Sequence, residues 1–200
     1  VTSFMDMPNC NPQTTTLEAL DNKFADAATK CVVNYSFYFG ATNNNADMLS
    51  QLDKTHVCGV KLFMGASTGN MLVDRMDALR KIFSGAGMLI AVHCEDQQVI
   101  RRNTERIREQ YGDDPDIRFH PVIRSEEACY QSSSLAVQLA KETGARLHIL
   151  HVSTARELEL FEDKPLSEKR ISAEACVSHL CFCDEDYATL GARIKCNPSI

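Results

Sequence analysis

The stretch VCGVKLFMGASTG, from Val57 to Gly69, puts a lysine in the middle of an apolar strand and follows it with a loop of small residues. An unpaired ammonium is costly to take out of water, so Lys61 needs a physical reason to be there. On either side the chain alternates. VTSFMDM ends a strand, TTTLEALDNKFADAATKC is a helix with threonines available to cap it, and VVNYSFYFGA is a strand rich in β-branched and aromatic residues. NADMLSQLD is a short helix before the Lys61 strand, DRMDALRKIFSGAG an amphipathic helix closed by glycines, and MLIAVHCED a further strand. A polar, charged excursion runs from Gln97 to His120. Beyond it lie the long helix RSEEACYQSSSLAVQLAKETG, the strand ARLHILHVS, the helical TARELELFEDK and the strand RISAEACVSH. A short acidic helix then precedes a final strand, RIKCNPSI.

Nearly continuous apolar strands alternating with helices predict a parallel sheet covered on both faces. The choice lies between an open doubly wound sheet and a (β/α)₈ barrel. Phosphate-binding glycine fingerprints are absent, so a nucleotide-binding doubly wound fold gains no support. The roughly six βα units counted here would make most of a barrel, a whole one needing about 250 residues. The expectation is the central part of one TIM-type (β/α) barrel over residues 1–200, incomplete in this chain.

Composition narrows the function classes. The 200 residues are 44% hydrophobic and 24% charged, with a formal charge of −6 and no Lys/Arg cluster, which argues against a nucleic-acid partner. No apolar run approaches the roughly 18–20 residues that span a bilayer, so no membrane partner is expected. Nine cysteines are an odd count, and Cys31, Cys58, Cys94 and Cys176 sit in apolar segments where a thiol acts as a small hydrophobe. Cys181 and Cys183 lack CxxC spacing. Reduced thiols and a cytoplasmic location are the expectation.

In parallel α/β folds chemistry collects at the C-terminal ends of the strands. Those ends carry Asp6 and Asn9, then Lys61, His93, His151, Glu174 with His179, and Asn197. His56 and His120 fall in polar connections and are expected to be structural. His148, three residues before His151, points to the opposite face of its strand, so His151 is the better ligand of the two. Lys61 alone could snorkel its head to the barrel end or serve as a Schiff-base nucleophile. Two histidines on successive strands beside a buried lysine weaken both of those readings.

Five stretches in order, DMPNCNP, GVKLFMGASTG, AVHCE, LHILHVST and CNPSI, resemble the cyclic amidase branch of the amidohydrolase superfamily, the dihydroorotases in particular. The resemblance runs from Asp6 to Pro198, and DMPN is its most discriminating element. It implies a reversible cyclisation of N-carbamoyl-L-aspartate to L-dihydroorotate at two divalent metal ions, usually zinc. It also implies that the Lys61 amine, kept neutral by burial, takes up CO₂ and bridges the metals as a carbamate. His93 and His151 would ligate the second metal through neutral imidazoles, while Asn9 and Asn197 would contact the substrate. A small-molecule substrate and a homo-oligomer, such as a dimer, complete the implied picture.

The departures are definite. The family's first-strand HxH pair is absent, as is the arginine just after it, and the aspartate that acts as general acid/base would lie beyond Ile200. Truncation at both ends is the simplest account, and three ligands of six predict weak metal affinity. Where the family often has two histidines after the sixth strand, the chain has Ser178-His179, and His179 is assigned no role. The alternatives are an allantoinase or dihydropyrimidinase with the same metals and another ring, and a metal-free, non-catalytic dihydroorotase-like paralogue.

Overall fold

The computed structural model describes residues 1–65 and 69–200. Six strands, β1 (Ser3–Asp6), β2 (Asn34–Gly40), β3 (Gly59–Met64), β4 (Ile90–Cys94), β5 (Leu147–Ile149) and β6 (Ile171–Ala173), are ordered in the sheet as they are in the sequence. β1 pairs with β2 in parallel, Ser3 opposite Asn34, and β2 with β3 in parallel, Gly40 opposite Lys61. Consecutive order is what a (β/α) barrel requires, whereas a doubly wound sheet reverses direction at its switch point. The consecutive order thus does not fit the doubly wound alternative.

Two compact units make up the chain: Val1–Phe63, Ser67–Val92 and Leu139–His148 form the first, and Met64–Ala66, His93–Gln138 and Ile149–Ile200 the second. In the first, ladder bonds run from Val60 N to Leu89 O (2.8 Å) and from Ile90 N to Arg146 O (2.9 Å). Helix α1 (Leu17–Lys30) starts where Thr16 accepts a hydrogen bond from Ala19 N, as the capping threonines led one to expect. Helix α2 (Met76–Gly85) buries Ala78, Leu79, Ile82 and Phe83, an i, i+1, i+4, i+5 stripe along one face. All six residues of β3 are buried, so this strand has apolar packing on both faces.

The second unit holds α3 (Gln97–Tyr111), α4 (His120–Ile123), α5 (Glu126–Thr143) as far as Gln138, and α6 (Val177–Cys181). The supposed polar excursion after β4 is thus mostly a helix. Asp96 caps α3 by accepting from Gln98 N and Val99 N, and only Val99, Ile100, Asn103 and Ile107 of its fifteen residues are buried. So narrow a stripe needs few apolar residues, and the charged remainder hid it. RISAEACVSH is not one strand: β6 ends at Ala173, and Val177 begins a helix. RIKCNPSI is not a strand either; a 3₁₀ turn over Gly191–Ile194 precedes Asn197.

All nine cysteines are free, but Cys176 is exposed rather than packed, because the strand in which it was placed has already ended. No helix among the described residues is long and apolar enough to cross a membrane.

Candidate metal centre

Lys61 lies in the first unit and is 2% exposed, so its head does not snorkel out. Its Nζ donates to Leu62 O at 3.0 Å and stands 3.8 Å from the Phe63 ring centroid, over the negative face of the aromatic system. The small-residue loop that follows, Ala66 to Thr68, lies outside the described residues. Asn9 is exposed on a loop fixed by its neighbours. Lys23 pairs with Asp6 at 2.7 Å and donates to Met7 O at 3.0 Å, while Pro8 O accepts from Thr14 N at 2.9 Å. The loop backbone around Asn9 is thereby anchored.

In the second unit the ends of β4 and β5 bring His93 and His151 together. His93 Nδ1 is 3.0 Å from His151 Nε2, with the rings 4.9 Å apart and nearly perpendicular at 74°. Neutral imidazoles placed this way share either one proton or one cation. Two nitrogens at zinc-bond length in a tetrahedral site stand about 3.3 Å apart, so a cation would fit after a shift of a few tenths of an ångström. Among the described residues no group of three or more His, Cys, Asp or Glu side chains is arranged to hold a metal ion. The histidine pair is therefore part of a ligand set and not a complete one.

His151 has φ 40°, in the left-handed region that a residue with a Cβ adopts only when its surroundings enforce it, at about 1–3 kcal/mol. The enforcement comes from the peptide of Glu174. Its N–H donates to Ile149 O at 3.1 Å and its carbonyl accepts from Val152 N at 2.7 Å, gripping the turn on both sides of His151. His148 is half-buried in the middle of β5.

His93, 5% exposed, is set by side chains instead. Its Nε2 lies 2.9 Å from Glu95 Oε2, and Arg124 Nη1 donates to the same oxygen. Burial pushes the Glu95 carboxyl up, but the bonds from His93 and the Arg124 guanidinium outweigh it and hold the acid below its ordinary value. Gly65 lies against this residue: a Cβ there would stand 2.8 Å from Glu95 O and 2.9 Å from Glu95 N. Glu95 N also donates to Met64 O at 3.3 Å, and Ser132 of α5 donates to the same carbonyl at 3.0 Å.

Asn197 is exposed between two tethered carbonyls. His120 Nε2 is 2.9 Å from Cys196 O, and His179 Nε2 is 3.3 Å from Pro198 O. Burial lowers the His120 pKa, the bond to Cys196 O opposing it only in part, so the neutral ring that donates here is favoured. His120, read as structural, and His179, assigned no role, thus act as clamps on the Asn197 segment. Sequence reasoning missed Glu95 and Arg124. Glu95 could have been found from its position two residues after His93, on the same strand parity, whereas nothing in the spacing points to Arg124.

No family model matches the sequence. An allantoinase of Deinococcus radiodurans is 30% identical over 210 residues, covering 100% of this chain and 45% of that protein. A dihydroorotase of Methanosphaera stadtmanae is 26% identical over 201 residues, with 100% and 45% coverage. The solved L-hydantoinase (dihydropyrimidinase) of Arthrobacter aurescens superposes with a TM-score of 0.89 at 25% identity, over 100% of this chain and 45% of that one. Its relatives are cyclic amidases. The chain spans about half the length of the curated relatives it matches. Allantoinases and a hydantoinase match more strongly than the dihydroorotase, which corrects the order of the sequence-based expectation.

Proposed function

We propose that the protein is a metal-dependent cyclic amidase that opens a five-membered ureide ring of the allantoin or hydantoin type. The observation that carries this reading is the 3.0 Å approach of His93 Nδ1 to His151 Nε2 at the ends of successive strands. Mutual approach of two imidazole nitrogens in a buried setting has no packing advantage over apolar residues, but it suits joint ligation of a zinc-like cation. In this reading His93 ligates through Nδ1 and His151 through Nε2, with Lys61, as its carbamate, completing the ligands this chain provides. Divalent cations, when bound, acidify water to a nucleophile near neutral pH and polarise the ring carbonyl.

The residues of the chain do the rest. Apolar β3 packing keeps the Lys61 amine out of water until it is carboxylated. The anchored Asn9 loop and the clamped Asn197 segment present amides to the polar edge of the ring. Dihydroorotate is the second reading, favoured by DMPN at Asp6–Asn9. Ring opening of allantoin, a 5-substituted hydantoin and dihydroorotate by the purified, zinc-supplied protein tests both. Faster turnover of the five-membered rings is expected. Exclusive turnover of dihydroorotate would reverse the choice, and turnover of none of the three would refute the amidase reading.

A further inference from the structure

We propose that Glu95, held by Arg124, is the positioning residue that keeps the proton of His93 on Nε2 and leaves the Nδ1 lone pair for the cation shared with His151. The inference rests on the ligand roles given above for those two histidines and assigns the groups that make one of them competent. Glu95 is fully buried, a position in which a carboxylate is disfavoured unless something uses it. Its partners are not distributed as in an ion pair built only for stability. His93 Nε2 and Arg124 Nη1 both converge on Oε2, whereas Oε1 is buried with no hydrogen-bond partner among the described residues. One carboxylate oxygen thus ties the imidazole of His93 to the guanidinium of Arg124.

The consequence for the imidazole is a matter of proton placement. A carboxylate 2.9 Å from Nε2 favours the tautomer with hydrogen on that nitrogen, since the opposite tautomer would set two lone pairs against each other. Nδ1 is then the acceptor nitrogen, and it is Nδ1 that faces His151. Arg124 closes the array from the end of α4, where its own N–H donates to His120 O at 2.9 Å and fixes the backbone from which the guanidinium extends. A carboxylate behind a ligating imidazole raises the basicity of the ligand and fixes its ring orientation, and losing such a partner typically costs 10–100-fold in metal affinity.

Co²⁺ provides the probe, because its visible absorption reports ligand geometry without requiring turnover. Wild type, Glu95→Gln and His93→Asn are titrated with Co²⁺ against a competing chelator. In parallel, ¹⁵N-histidine spectra of the metal-free wild type record which His93 nitrogen carries the proton. The expectation is an Nε2–H tautomer in the wild type and about a 10–100-fold weaker Co²⁺ affinity in Glu95→Gln, with an altered spectrum. Wild-type affinity and spectrum in Glu95→Gln would overturn the positioning role. So would an Nδ1–H tautomer in the wild type, a result that does not depend on whether the variant folds. Undiminished Co²⁺ binding by His93→Asn would instead overturn the ligand set from which the inference starts.

Discussion

Gly65→Ala puts a methyl group where the chain has no room for it. The added Cβ would meet Glu95 O at 2.8 Å and Glu95 N at 2.9 Å, both inside any normal carbon contact and both main-chain atoms that cannot swing aside. The β3 end must therefore separate from the β4 end. That stretches the 3.3 Å bond from Glu95 N to Met64 O and pulls on the Met64 carbonyl that Ser132 also uses. Overpacking of this kind costs about 1–3 kcal/mol. In a chain of this length each kcal/mol lowers the melting temperature by roughly 2–4 °C, so a fall of about 2–12 °C is expected. Gly85→Ala is the internal control. It lies in the last turn of α2 with nothing within 4 Å of the added carbon, and the better helix propensity of alanine should stabilise by up to about 1 kcal/mol. Thermal and urea denaturation of both variants measure the contrast in sign. If Gly65→Ala melts at or above the wild-type temperature, the close approach is not what holds the two strand ends together.

On the proposed carbamate role, Lys61→Ala should abolish most bound metal and turnover, with partial rescue by short carboxylic acids that take the place of the carbamate; undiminished activity without such an additive would refute that proposal. Ser133 donates at 2.5 Å to Glu157 Oε1 in the buried region beneath α5. Ser133→Ala leaves that carboxylate the Thr154 hydroxyl, at 3.0 Å, and should cost about 1–3 kcal/mol in urea denaturation; a loss below a few tenths would show the bond to be dispensable. The Asp53 carboxyl is held down at about 2, first by the Thr55 hydroxyl bond and then by His56. A depressed acid stabilises the fold above its ordinary value and loses that contribution as pH falls towards 2. The urea midpoints of wild type and Asp53→Asn should therefore differ at neutral pH and converge below about pH 2–4; a constant difference across that range would refute the linkage.

Strands β3, β4 and β5 were legible because each is a mostly apolar, buried run, the pattern that burial on both faces demands. The same reasoning located His93 and His151, which stand where two of those runs stop. Helix α3 was not legible as a helix, since four buried residues in fifteen give too sparse a stripe to outweigh its arginines. The ends of β5 and β6 were overextended for a different reason. The backbone leaves the sheet to make the left-handed turn at His151, a main-chain event that Ile149, Leu150 and Val152 do not announce. Arg124 was beyond sequence reasoning altogether. It meets Glu95 from 29 residues away, and only the intervening path of α3 and α4 decides that they meet.

The two histidines differ in what a mutation can take away. His93 owes its setting to the side chains of Glu95 and Arg124, each of which a single codon change can remove. The turn of His151 is gripped by the N–H and carbonyl of residue 174, which persist through any substitution there that keeps a backbone N–H. Genetic drift in this protein would thus reach the pair from one side: substitutions that loosen it should arise around His93, while position 174 tolerates a wide choice of side chains, proline excepted.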